Sequence, residues 1–347
     1  MTELLCIGNP LVDVFVEIDN NLAVKYGITD PVQHIDRELA EALLREPSVD
    51  FSNSVKSSGG GSANVAKIAS MLGMNTTFSG STGHDDLAGI FENEITGAGV
   101  SSVLIKSEKK TGLCFVCNIG GETRIAASPA AALELTEDNV PDELIGSAEI
   151  IVLDGYILDR RSLVQHILLK ASRRGIPVAL DAASIFQVKS KAEEILTYSR
   201  NFPLFVFMNA DEAIAFFNTI RKTKDEETNL TEKEKEAFIL RDVCPMLKII
   251  YDGDIFPIVV VKLGGRGAVV VASGNVYHEE TFTVIPRNTV GAGDAFCAAF
   301  LSAWIRGKSI SECAALGNKV AREILEVPGT YIKSGKLKKF TKILQRS

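Results

Sequence analysis

The run Arg287-Asn288-Thr289-Val290-Gly291-Ala292-Gly293-Asp294-Ala295-Phe296 gathers in one place the means to hold an anion and to take a proton. Gly291 to Gly293 carry almost no side-chain bulk and lead straight into an apolar segment, 292–305, whose length and composition predict a helix. The backbone N–H groups left unbonded at a helix start form an anion hole, and the helix dipole favours negative charge there. A developing phosphoryl charge fits such a place. Asp294 falls in the first turn, within reach of a hydroxyl beside that anion. Acids also favour helix N-termini for stability alone. The bare Gly-Ala-Gly run in front and the apolar helix behind favour chemistry instead.

A second glycine-rich run, Gly59-Gly60-Gly61-Ser62-Ala63-Asn64-Val65-Ala66, precedes another predicted helix, 62–72. Its glycines let a ligand approach the backbone, and Asn64 offers both a donor and an acceptor from the first turn. Ala63 and Asn64 stand where a dinucleotide G-x-G-x-x-G fingerprint needs its third glycine, so that reading fails. Asp13, closing Gly8-Asn9-Pro10-Leu11-Val12-Asp13, is either a solvated strand acid or a ligand for hydroxyls. Asn209 and Glu212, in Asn209-Ala210-Asp211-Glu212, follow an apolar run. They suit a helix cap or a Mg2+ ion bound through water. Leu263-Gly264-Gly265-Arg266-Gly267 is a tight turn between two apolar runs. The histidines at 34, 84, 166 and 278 have no ligand spacing, and no Walker A pattern is present.

The elements that must position these residues alternate between strand and helix. Segments 4–8, 149–153, 177–181, 205–209, 258–263 and 268–272 are short apolar runs of the kind buried on both faces. Segments 62–72, 160–174 and 292–305 have helical spacing. This order predicts an α/β fold with a mostly parallel sheet and helices on both faces, and ligands in such folds lie beyond the carboxyl ends of the strands. Segments 12–18 and 101–124 look half-exposed, which predicts a small sheet standing off the main body. The mixed-sign charge run 221–238 reads as a solvated surface.

Composition narrows the class. The chain has 347 residues, 46% of them hydrophobic, and a formal net charge of −7 spread along its length. That balance argues against nucleic acid as a partner. No apolar run is long enough to span a membrane and no basic leader precedes the first strand, so a cytoplasmic protein is expected. Six dispersed cysteines make no disulfide framework, and the Cys114–Cys117 pair lies in an apparent strand.

Asn288 to Phe296 resembles the C-terminal signature of the ribokinase (pfkB) family of carbohydrate and purine kinases, D-T-x-G-A-G-D. Gly59 to Ala66 resembles its N-terminal signature, G-G-x-x-A-N-x-A. The motifs near residues 9, 60, 155, 209, 264 and 294 follow the family's order, so the resemblance covers nearly the whole chain. It implies transfer of the γ-phosphate of ATP, with Mg2+, to a primary hydroxyl of a small molecule. Asp294 would be the base, and Gly291, Ala292 and Gly293 would supply the anion hole. Asn9, Asp13, Gly59, Gly60 and Asn64 would hold acceptor hydroxyls. Asn209 and Glu212 would serve the metal, while Gly264, Gly265, Gly267 and Asn318, with Gly317 beside it, would border the nucleotide.

Arg124, after the Gly120-Gly121 turn, reads first as a solvated arginine, while the resemblance implies a lid cation able to lean over the phosphates. Asn288 replaces the usual Asp near a monovalent-cation site, which implies weak dependence on K+. Gly8 to Asp13, and Tyr156 in Gly155-Tyr156-Ile157-Leu158, look most like adenosine kinases, whereas Gly59 to Ala66 fits sugar kinases equally well. The implied layout is a large domain of residues 1–12, 51–100 and 125–347 with a small lid of 13–50 and 101–124. The expected assembly is a monomer or a homodimer.

Overall fold

The computed structural model describes residues 2–345 apart from 52–53, 224–229, 252–255, 283, 285–289 and 327–333. Asn288 and the monovalent-cation expectation attached to it therefore lie outside the described residues. Fourteen strands form in chain order among them. The first seven are β1 (Thr2–Ile7), β2 (Leu11–Glu17), β3 (Val32–His34), β4 (Lys56–Gly59), β5 (Thr76–Thr82), β6 (Ser101–Lys106) and β7 (Gly112–Ile119). The rest are β8 (Glu122–Ser128), β9 (Ala148–Asp154), β10 (Val178–Asp181), β11 (Leu204–Asn209), β12 (Ile258–Lys262), β13 (Ala268–Ala272) and β14 (Asn275–Glu279).

Nine strands make one sheet in the order β14-β13-β12-β11-β10-β9-β1-β5-β6. Its pairings are parallel except at β12–β13 and β13–β14. Alternate residues of its strands enter two separate cores. Leu4, Cys6, Phe205, Phe207 and Val260 bury on one side, and Leu5, Ile7, Val206, Met208 and Val259 on the other. Helices therefore cover both faces, as the continuous apolar runs predict. Chain order reverses at β1, which lies between β9 and β5, so the crevice of the sheet opens at its carboxyl ends there.

A second sheet of five strands runs β3-β8-β7-β2-β4. The proposed boundaries need correction at four strands: β2 begins at Leu11 and β8 runs on to Ser128, both within the small sheet, and β6 and β4 also differ. β6 pairs in parallel with β5 in the large sheet instead of joining the small one. It is an edge strand with its first three residues exposed, and an edge strand has the same half-exposed look as a strand standing off the body. β4 crosses to the small sheet, pairing antiparallel with β2, so Gly59 ends a small-sheet strand. Cys114 and Cys117 are buried free thiols within β7, as the strand reading implied.

Helix Ala292–Ile305 is apolar all round because it is enclosed all round, and Ala295 to Ala303 are buried without interruption. Phe300 packs edge-on to Phe205 and Phe207, with ring centroids 6.4 and 5.5 Å apart. These contacts fix the helix that carries Asp294 against the sheet. Phe300→Ala is expected to lower unfolding free energy by about 3–5 kcal/mol, the usual cost of emptying a buried aromatic site. Denaturant unfolding measures it, and a loss below ~1 kcal/mol would show that this anchor does not hold.

Candidate active site

Polar residues close five adjacent strands of the large sheet on one edge. Asn9 follows β1, Asp154 closes β9, Asp181 closes β10, Asn209 closes β11 and Lys262 closes β12. Strand register keeps them level, with Asp181 opposite Asp154 and Asn209 opposite Lys262. Against this edge comes the start of helix Ala292–Ile305. Gly291 is its N-cap at φ +83°, a left-handed conformation that glycine adopts without a Cβ penalty. Asp294 sits in the first turn, half-buried, and its Oδ2 accepts a hydrogen bond of 2.9 Å from Asn64 Nδ2. The two glycine-rich motifs, far apart in the chain, thus meet through their polar residues.

The second motif is built for close approach. Gly60 has φ +100°, and a Cβ there would lie 2.2 Å from the Asn9 carbonyl oxygen. A Cβ on Gly59 would fall 2.1 Å from an Asp13 carboxylate oxygen. Asp13 is therefore buried, not the solvated strand acid that alternation alone allowed. Behind it lies Lys67, also buried, whose Nζ donates to Ser58 O at 2.6 Å and Ser58 Oγ at 2.9 Å. Asn9 reaches the same edge, but its Oδ1 accepts from Arg160 Nη2 at 2.6 Å. The buried Oδ1 of Asn64 and Oδ1 of Asp154 have no hydrogen-bond partner. Such orphaned acceptors call for a ligand, an ion or water.

Two cavities flank the helix start. The first, about 380 Å3, is lined by Gly61, Asp154, Tyr156, Glu212 and Asp294. The second, about 340 Å3, is lined by Gly265, Gly267, Ala292, Phe296 and Asn318. Lys262, Gly264 and Gly293 border both. Gly293 therefore lies between two spaces, with Asp294 facing the first and Ala292 the second, each with room for part of a small ligand.

Burial sets the electrostatics. It pushes the Asp294 carboxyl up to about 6, with Asp181 adding to the rise and the Asn64 hydrogen bond and Lys262 opposing it. Asp13 rises to about 7 through burial, against the pull of the Lys67 charge. Glu212 also rises to about 7, through burial and then Asp181, with Lys262 opposing. Burial raises Asp154 as well, and Arg160 opposes that rise.

Other expected residues fall as follows. Asn209 and Glu212 form a reciprocal helix cap, with Glu212 N donating to Asn209 Oδ1 at 2.9 Å and Asn209 N to Glu212 Oε2 at 2.7 Å. Both also line the first cavity, so capping and ion binding are compatible here. No cluster of three His, Cys, Asp or Glu side chains able to hold a metal exists among the described residues. Mg2+ tolerates this, because it keeps several waters and needs few protein ligands. Tyr156 meets His34 of the small sheet at 5.5 Å between ring centroids, a contact that the histidine spacing did not reveal.

Asn318 is pinned by its Nδ2 to Glu279 O at 3.1 Å and lines the second cavity. Gly317 instead faces the Phe296 ring, 2.7 Å from where its Cβ would be, so its bareness serves helix packing. Arg124 is held inside the small sheet, donating to Ile28 O at 3.1 Å and pairing with Glu122. Lys262, Asp181 and Asp154 had no place among the expected functional residues. Their signal was slight: a single polar residue closing an apolar run, with no motif spacing around it.

Residues 20–336 match the profile of the pfkB family carbohydrate kinases. The chain is 29% identical to adenosine kinase 2 of Arabidopsis thaliana, covering 94% of this chain and 95% of that protein. It is 24% identical to the 5-dehydro-2-deoxygluconokinase of Bacillus licheniformis, covering 80% of this chain and 82% of that protein. Among solved structures, the adenosine kinase of Sinorhizobium meliloti superposes with a TM-score of 0.80 at 24% identity, covering 95% of this chain and 96% of that one. A probable sugar kinase from Rhizobium etli CFN 42 gives 0.83 at 23% identity, covering 99% of both chains. At these identities the solved structures establish the fold.

Asp294 has a pH signature in stability. Its folded-state pKa of about 6 lies above the ordinary 3.8. Its contribution is therefore fully present below about pH 4 and lost as pH rises through 6. Asp294→Asn removes that loss, so the variant's Tm should exceed the wild type's by more at pH 8 than at pH 4. Equal differences at both pH values in a thermal melt would mean that the carboxylate is not destabilised by its burial.

Proposed function

The chain belongs to the pfkB family of carbohydrate kinases and is a phosphotransferase with an alcohol acceptor, and we propose that it transfers the γ-phosphate of ATP to the primary hydroxyl of an adenosine-like nucleoside. The observation that carries this reading is the placing of Gly293 between two cavities, with Asp294 on the wall of one and Ala292 on the wall of the other. One has Tyr156 on its wall beside Asp294, and the other is walled by the glycines of the 264–267 turn. Tyr156 offers a flat face for a purine. The extent of similarity supports the same acceptor, since the adenosine kinase relative aligns over more of the chain than the sugar-acid kinase.

The reaction is in-line transfer. The acceptor oxygen attacks the γ-phosphorus, the bond to the β-phosphate oxygen breaks, and Asp294 accepts the hydroxyl proton. The amides of Gly291, Ala292 and Gly293 stabilise the charge on the transferred group. Asn64 orients Asp294 with its Nδ2 and leaves its orphaned Oδ1 for an acceptor hydroxyl. Asp13, Gly59 and Gly60 form the floor beneath the sugar, and Asn9 fixes that floor through Arg160. Gly264, Gly265, Gly267 and Asn318 border the nucleotide. Asn209, Glu212 and the unpartnered oxygen of Asp154 are the residues that would hold Mg2+. When bound, the ion neutralises phosphate charge. The small sheet, with His34 already against Tyr156, closes over the acceptor and excludes water.

Asp294→Asn is expected to lower kcat by at least ~10²-fold while the fold persists, the usual scale for losing a general base. Near-normal turnover would remove Asp294 from the reaction. The acceptor is tested by ADP release with adenosine, inosine, ribose, fructose and 2-keto-3-deoxygluconate at equal concentrations. Adenosine should give the highest kcat/KM, and Tyr156→Ala should lower it, since base–aromatic stacking contributes about 1–3 kcal/mol. A free sugar ahead by tenfold would overturn the nucleoside and leave the kinase.

A further inference from the structure

Lys262 has no part in the reaction as drawn so far, yet it occupies the junction through which the phosphoryl group must pass. It closes β12, its side chain is only 14% exposed, and its Nζ lies 2.6 Å from Asp181 Oδ2. A Cβ on Gly293 would lie 3.2 Å from that Nζ, so the ammonium stands against the bare backbone of the anion hole. Lys262 lines both cavities and is the one cation lining the first of them among the described residues. An ammonium has three donors, and Asp181 takes one.

We propose that Lys262 is a catalytic residue, its ammonium held by Asp181 beside Gly293 to bind the oxygens of the transferring γ-phosphoryl group. During transfer the acceptor oxygen–phosphorus bond forms and the bridging bond to the β-phosphate breaks. The electron pair leaves on the β-phosphate oxygen and the acceptor proton goes to Asp294. Lys262 keeps its protons throughout. Its charge meets the equatorial oxygens, where charge spreads in the transition state. Asp181 is a positioning residue: it fixes the ammonium and keeps it charged. Burial opposes that charge, but Asp181 and Glu212 outweigh it and hold the Lys262 pKa above its ordinary value.

The competing role is plain charge balance, in which Lys262 only offsets Asp181, Glu212 and Asp294. The double variant Lys262→Met, Asp181→Asn removes the pair together and so separates the two roles, because no carboxylate is left unbalanced by its own partner. The inference rests on the ATP-dependent reading above but on no particular acceptor. The test is therefore titration calorimetry of ATP and of ADP, each with Mg2+ and without acceptor, on wild type and double variant. ATP affinity should fall at least tenfold in the variant while ADP affinity changes less than threefold. Lys262→Gln, which keeps a donor to Asp181, serves as the second variant should the double one fail to give a cooperative melt, and the same loss is expected. Unchanged ATP affinity, or equal losses for ATP and ADP, would overturn the proposal. Failure of the nucleoside assignment alone would leave this comparison intact.

Discussion

Carboxylates crowd the carboxyl edge of the large sheet, and the site depends on how their charge is balanced. Asp13, Asp154, Glu212 and Asp294 are all raised by burial. Two lysines oppose the crowding from separate sides, buried Lys67 beneath Asp13 and half-buried Lys262 beside Asp181. Like charges held together out of water are costly unless paired or bound to cations. An added cation or proton lowers the cost of such crowding.

The rest of the fold keeps that arrangement in place. Parallel strands bring their polar ends level, and two apolar layers prevent the sheet from relaxing. Helix Ala292–Ile305 is locked by aromatic packing behind Asp294, so its free amides point at one spot. Bare Gly59 and Gly60 let the second motif press on Asn9 and Asp13 without a side chain between them. Rigid support of this kind is what charge stabilisation needs, because donors that must reorganise during the reaction give up their advantage.

Much of this was legible in the sequence, for physical reasons. Helix Ala292–Ile305 and strand β13 fall where apolar spacing placed them, since enclosed elements must be apolar throughout. The Gly-Ala-Gly-Asp and Gly-Gly motifs announced themselves because bare backbone has few other uses. β6 misled because an edge strand and a lid strand expose residues alike. Asp181 and Lys262 escaped notice because their meaning lies in a pairing 81 residues apart, which no local spacing encodes. Alternation alone allows a solvated Asp13, because only the partner strand shows that Gly59 covers it.

We propose Asp294, raised to about 6 by burial and held back by Asn64, as the base of the transfer. The pH profile of kcat/KM in wild type and Asn64→Ala tests it most directly, read by the position of the acid limb and not by its height. A base must be ionised to act, so the rate should rise with pH through a limb near 6 in the wild type. Loss of the Asn64 donor removes a hydrogen bond to the charged form, so the limb should move to higher pH. A profile flat down to pH 5, or a limb unmoved by Asn64→Ala, would contradict the account.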